Sequence, residues 1–329
     1  MIISRTPFRI SFVGGGTDLE SYYSAGYGRV LSTTIDKYIY VCVKKPVHNI
    51  NEKKFRVAWS QHEFKDSIDE IEHPIVRETL RFMQVDHPTE IVTFADVPAQ
   101  TGLGSSSAFA VGLLQALYAL RGEAATKHRL ASEAAHIEID ILGRNIGKQD
   151  HFAAAYGNLN IFSFHGNGSV TTDPVFYNPE TKRHIESRLM LFYTALQRDA
   201  SAVLKEQRDG TDARRSVLDS MRDLVEPLRD VFIGKGDPAR MGEILHESWL
   251  LKRSLTGSVS SAQIDAYYGA ARQAGAIGGK LLGAGGGGFL LLYVEPEYQS
   301  AVAESLSGLS RLPFRFDDAG SRITYYDER

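Results

Sequence analysis

Cysteine is almost missing from this chain. Cys42 is the only one among 329 residues, so no internal disulfide can form, which fits a reducing compartment. An excess of either charge is lacking too. The 37 Lys and Arg residues stand against 40 Asp and Glu, for a net charge of −3. That balance gives no reason to expect nucleic acid or an anionic membrane surface as a partner. Long apolar runs are absent: the most hydrophobic stretch, Ala108 to Leu120, is too short to span a bilayer. The opening segment "MIISRTPFRISFVGGG" has no apolar leader-like centre. Phe8, Ile10 and Phe12 alternate there with Arg9, Ser11 and Val13, which reads as a strand. No repeat or low-complexity segment occurs, and the ten histidines and one cysteine show no metal-ligand spacing. These absences lead to the expectation of a cytoplasmic protein without a membrane span.

What is present is enough for a sizeable core. The chain is 43% hydrophobic and 23% charged, and its length suggests two domains or one large one. Strand-like runs occur at Phe8–Val13, Ile39–Val43 and Glu90–Ala95. Helical spacing follows over Ser105–Leu120 and again from Thr126, with Leu130, Ala134, Ile137 and Ile141 on one face. The stretch His165 to His184 is rich in turn formers and marks the expected boundary between a domain 1–170 and a domain 171–329. Beyond it "LMLFYTAL" reads as a strand. A long helical region spans Ala200–Tyr268, interrupted near Gly234–Pro238 and Gly257. The glycine-rich Gly275–Gly288, a strand "FLLLYV" and a hairpin around "FDDAGSRITYY" close the chain. Strands and helices that do not alternate strictly predict an α+β fold.

One stretch carries chemistry by itself: "VPAQTGLGSSSAFAVGLLQAL", Val97 to Leu117. The first turn of a helix has unpaired N–H groups and a partial positive charge. Glycines let the backbone close on a bulky anion, and serine hydroxyls add donors. Thr101, Gly102, Leu103, Gly104, Ser105, Ser106 and Ser107 are therefore suited to polyphosphate, although serine is also an ordinary helix cap. This is not a Walker A loop, because no Gly-Lys-Ser/Thr follows at the needed spacing. The formal G-x-G-x-x-G of Gly283–Gly288 is not a dinucleotide fingerprint, because a strand follows it rather than a helix.

"VPAQTGLGSSSA" resembles the phosphate-binding motif of the GHMP kinases. "TPFRISFVGGGTDL" resembles that family's first motif and "GGKLLGAGGGGFLLLY" its third, in the family's order. The resemblance implies a two-domain fold: an N-terminal ribosomal-protein-S5-like domain and a C-terminal ferredoxin-like domain, with the active site between them. It implies transfer of phosphate from ATP, with Mg2+, to a hydroxyl. Asp150 in "GKQD" matches the family's catalytic aspartate, and Arg9 the arginine beside the reacting hydroxyl, where it would stabilise developing negative charge. Asp18, with Gly15, Gly16 and Thr17, matches the sugar-binding segment. Glu138 matches the glutamate that holds magnesium together with a serine, here Ser106; Asp140 lies beside it on the same stretch.

Within the family, "FRISFVGGGTDLESYY", "GKQDHFAAAYG" and "GAIGGKLLGAGGGGFLLL" are most similar to the bacterial heptose 7-phosphate kinases. These enzymes phosphorylate the anomeric hydroxyl of a sugar phosphate on the route to GDP-activated heptose. Gly15 and Gly16 replace the bulkier residues of galactokinases, which leaves room for a larger sugar. A distal substrate phosphate needs cations, and Arg198, Lys205, Lys252 and Arg253 are available, with Arg198 and Lys252 preferred. Two other readings stand beside this one: a kinase of a free sugar of the fucose or galactose type, and a non-catalytic sugar and ATP sensor. The expected partners are a sugar phosphate and ATP. The sequence is compatible with a homo-oligomer.

Overall fold

The computed structural model describes residues 1–46, 53–196 and 200–327. Two sheets carry the structure. The first is built from β1 (Ile2–Val13), β2 (Tyr27–Lys44), β3 (Phe55–Ala58), β4 (His62–Lys65), β5 (Thr89–Ala95), β6 (Asn160–His165) and β7 (Val170–Pro174). β2 is its hub. One side pairs antiparallel with β1 along almost its whole length. The other side takes β6 against Tyr27–Ser32 and β5 against Ile39–Lys44. The first half of β2 hides Ser32, Thr33 and Thr34 in the interior, so it lacks the apolar alternation that made Ile39–Val43 readable as a strand. β7 pairs with β6, which carries the first sheet to Pro174.

The second sheet is antiparallel, in the order β11 (Ser310–Arg311), β8 (Leu189–Tyr193), β10 (Phe289–Val294) and β9 (Ala276–Leu281). The run "FLLLYV" is buried on both faces, as an internal strand under helices Arg240–Leu255 and Ala262–Gln273 must be. The remaining strands, β12 (Phe316–Asp317) and β13 (Arg322–Tyr326), return to the first sheet. They do not form the expected hairpin: β12 pairs with β2, and β13 with the open edge of β1. The turn between them is held against the helix Gln149–Tyr156, where Ser321 N donates to Ala154 O at 2.9 Å. That attachment keeps the two strands on separate partners.

The helix Ser105–Leu120 is apolar nearly all round and packs on β1 and β2. Gly112 allows a close approach: Ser4 Oγ donates to its carbonyl at 2.7 Å, and a Cβ there would sit 2.7 Å from Thr6 Oγ1. The N-terminus of this helix is thereby fixed beside the middle of β1, where Arg9 N donates to Leu103 O at 3.1 Å. No described helix is long and apolar enough to cross a membrane.

Candidate active site

The expected phosphate loop leads from β5 into the helix Ser105–Leu120. Gly102 and Gly104 have φ of +82° and +76°, a backbone state that favours glycine. Gly104 stands immediately before the first helical turn, Ser105, Ser106 and Ser107, whose N–H groups have no intrahelical partners. Thr101 and Leu103 are buried and hold the loop: Thr101 Oγ1 donates to Pro98 O at 3.1 Å, and Thr101 O accepts from Phe289 N at 3.1 Å. The third motif is packed backbone to backbone on this loop. A Cβ at Gly283 (φ +72°) would lie 2.5 Å from Gly102 Cα, and one at Gly288 would lie 2.3 Å from Thr101 O. Left-handed strain together with overpacking predicts that Gly283→Ala lowers stability by about 2–5 kcal/mol. Gly257, with open space around it, is the control: Gly257→Ala should leave Tm in place when both are unfolded thermally side by side.

Arg9 and Asp150 meet directly across 141 residues of sequence. Arg9 Nε and Nη2 donate to the two Asp150 carboxylate oxygens, each at 2.7 Å, and Nη1 donates to Gly102 O at 2.6 Å. Such a bidentate pair fixes the plane of the carboxylate. It abuts the helix N-terminus, because a Cβ on Gly104 would lie 3.2 Å from Asp150 Oδ2. Asp150 lies in the first turn of the helix Gln149–Tyr156, which Lys148 precedes as the cap residue, so its carboxylate is spent on Arg9 and not on capping.

Asp18 is buried beside this pair. Its Oδ1 accepts from Gly16 N at 3.0 Å and its Oδ2 from Gln149 N at 3.3 Å. Burial, and then the Asp150 carboxylate nearby, push its pKa up. Gly147 makes the contact feasible, since a Cβ there would fall 1.9 Å from Asp18 Oδ2.

The second cluster is Ser106, Glu138, Arg144 and His151. Glu138 lies in a π-helical stretch, His136–Ile141, a bulge that turns it into the interior. It is fully buried. Glu138 Oε1 accepts from Ser106 Oγ and from Arg144 Nη1, the latter at 2.6 Å, while Oε2 lies 2.9 Å from His151 Nε2. Arg144 Nη1 also lies 2.7 Å from Ser106 Oγ. Burial pushes the Glu138 carboxyl up, but the His151 and Ser106 hydrogen bonds and the Arg144 charge hold it below the usual value. Asp140 turns outward to His136 at 2.7 Å. Ser106 Oγ and the Glu138 carboxylate are oxygen donors of the kind a hard cation takes, and the Arg144 guanidinium, which bonds both, would have to give way to it. No group of three or more His, Cys, Asp or Glu suited to a metal is found among the described residues, so substrate oxygens and water would have to complete any magnesium shell here.

Arg9, Asp18 and Asp150 line one cavity, partly open to solvent. Gly15 and Gly16 form part of its wall. Gly16 needs its φ of +96°, whereas a Cβ on Gly15 would make only ordinary contacts, at 3.7 Å from Ser11 Oγ and Gln149 Nε2. Ser11 Oγ and Gln149 Oε1, in the same lining, are buried without a hydrogen-bond partner.

Thr17 is a correction to the sequence reading. It lies outside the cavity lining, fully buried, with its hydroxyl spent on Gly14 O at 2.8 Å and Arg29 O at 2.9 Å, so it shapes the turn and does not offer a ligand contact. Of the expected cations, Lys252 lines the cavity. Lys205 is exposed, Arg253 pairs with Asp265 at 2.9 Å, and Arg198 lies outside the described residues. Sequence reasoning missed Lys280, which sits in the lining within the quoted third motif, as well as Arg144 and His151. Lysine in a glycine-rich strand was the available signal for Lys280.

Comparison with known proteins places the chain in a family. The family description "GHMP kinases N terminal domain" covers residues 74–158, and "GHMP kinases C terminal" covers 224–309. A D-glycero-alpha-D-manno-heptose 7-phosphate kinase of Campylobacter jejuni is 29% identical, over 93% of each chain. A galactokinase of Pyrococcus furiosus is 23% identical, over 93% of this chain and 92% of its own. Among solved structures, one described as a D-glycero-D-manno-heptose 1-phosphate kinase from Bacteroides thetaiotaomicron superposes with a TM-score of 0.81. It is 23% identical, over 99% of this chain and all of its own, and so supports the fold. The two family descriptions together cover more than half of the sequence, the first holding the motif at Val97–Ala108 and the second that at Gly278–Tyr293, and the chain belongs to the GHMP kinases.

Proposed function

We propose that this kinase transfers the γ-phosphate of ATP to the anomeric hydroxyl of D-glycero-D-manno-heptose 7-phosphate, giving the 1,7-bisphosphate on the route to GDP-activated heptose. The observation that carries the reading is the packing of the Arg9–Asp150 pair, which lines the cavity, against the Gly104 end of the phosphate loop. A phosphoryl group on the helix N-terminus would lie next to a carboxylate able to take the proton of an incoming hydroxyl. Asp150 accepts that proton as the new O–P bond forms and the bond to the ADP oxygen breaks. Arg9 holds the carboxylate in place, and Asp18, anchored by two backbone N–H groups, is positioned to accept from sugar hydroxyls. Likeness to the Campylobacter enzyme over nearly the full length of both chains supports heptose phosphate as the substrate class.

Ser106 and Glu138 would hold magnesium, whose role when bound is to neutralise phosphate charge. Glu138→Gln is expected to raise the magnesium concentration for half-maximal turnover by about ten- to a hundredfold, as loss of one charge-assisted contact implies. Titration of magnesium at fixed ATP measures it, and a change confined to the sugar KM would take Glu138 out of the metal site.

The test of the substrate reading is one turnover panel with ATP and magnesium: D-glycero-D-manno-heptose 7-phosphate, the free heptose, galactose and fucose. Equal or better use of a free sugar would replace heptose phosphate with a free-sugar substrate.

A further inference from the structure

Two lysines that the mechanism does not use lie in the cavity lining. Lys252 comes from the helix Arg240–Leu255 and Lys280 from β9, both on the side of the second sheet. They are 7% and 3% exposed. Buried lysines are ordinarily matched by a carboxylate. Here Lys252 Nζ donates to the carbonyls of Gly283 and Leu281, and Lys280 Nζ to Phe12 O at 2.7 Å. Neither makes an ion pair among the described residues.

The charges that line the cavity with them are Arg9 from β1, Asp18 from the turn after it, and Asp150 from the helix Gln149–Tyr156. Arg9 and Asp150 satisfy each other. Asp18 is taken up by Gly16 and Gln149 backbone N–H groups. The two lysines therefore have carbonyls as their hydrogen-bond partners, and Asp18 acts on Lys252 through its charge alone. Burial, then repulsion by Arg9, brings Lys252 down to about 7, and burial with the charges of Lys252 and Arg9 pushes Lys280 well below its usual value. A dianion entering the cavity would relieve both penalties at once.

We infer that Lys252 and Lys280 form the subsite for a phosphate group carried by the sugar substrate. Carbonyl partners hold the two Nζ atoms and leave N–H donors for phosphate oxygens, since a protonated lysine carries three. The inference rests on the sugar-phosphate reading above and adds the residues that would enforce it.

The test is the ratio of kcat/KM for heptose 7-phosphate to that for the free heptose, in wild type and in Lys252→Met and Lys280→Met. Methionine preserves side-chain volume and removes a buried charge, so folding should survive. Lys252→Gln and Lys280→Gln, which keep a polar end for the carbonyls, are carried alongside in case a methionine variant does not fold. Each substitution is expected to reduce the ratio by about tenfold or more, the size of one charge-assisted contact. A ratio that holds in the variants, whether activity falls equally on both sugars or on neither, overturns the subsite and leaves the lysines serving the transferred phosphoryl group or the fold. Wild-type indifference to the phosphate would instead overturn the substrate reading and the subsite with it. A wild-type preference that survives every substitution overturns the subsite alone.

Discussion

Asp150→Asn is expected to lower kcat by about two to four orders of magnitude while the fold and nucleotide affinity are kept. The carboxamide has the same shape, so it fits beside Gly104, where a Cβ would already lie only 3.2 Å from Asp150 Oδ2. It can still accept one hydrogen bond from Arg9. Its amide nitrogen, however, faces the second guanidinium nitrogen donor to donor, and it cannot take a proton from a hydroxyl. Arg9, only 4% exposed, is then left without its counter-charge, which costs stability without touching the helix N-terminus. Steady-state turnover measured with a fluorescent-nucleotide titration separates the two effects. Near wild-type turnover would remove Asp150 from the role of base.

Heptose 7-phosphate should exceed the free heptose in kcat/KM by about two to four orders of magnitude. Charge-assisted contacts are worth about 1.5–3 kcal/mol each, two would act together, and a tenfold ratio corresponds to about 1.4 kcal/mol. The cavity has the cations for this in Lys252 and Lys280, which lack carboxylate partners among the described residues. Ser11 and Gln149 add unpartnered polar atoms for hydroxyls. A ratio near unity would mean that the buried lysines serve something other than a substrate phosphate.

The three motifs were legible because each is a local solution to a backbone problem. Gly102 and Gly104 are glycines because of their φ, and Ser105 begins a helix where helices usually begin. What joins those pieces was not legible. The Arg9–Asp150 pair spans 141 residues; the family resemblance put both at the reacting hydroxyl, but nothing near either residue announces the direct bidentate contact. Thr17 read as part of the sugar site because it stands between Gly16 and Asp18. Its burial against Arg29 O is a tertiary fact. Lys280 was hidden by its glycine neighbours, whose role is to let β9 pack tightly: a Cβ at Gly278 would lie 1.9 Å from Gly242 O. The last two strands misled as a hairpin because their spacing suits one, whereas the open edge of β1 and the contact with Ala154 took them apart.

The pairing of β13 with β1 places Ile2 opposite Tyr326, and this sets the order of events in biosynthesis. Arg9 is synthesised well before the segment Arg322–Tyr326, and the strand that carries it keeps an open edge until that segment has been made. Pairings so distant in sequence close slowly, and open edges invite association with other chains in the meantime. The sheet beneath the Arg9–Asp150 pair is therefore completed only once the segment Arg322–Tyr326 has been synthesised, so the edge of β1 is open to other chains until then.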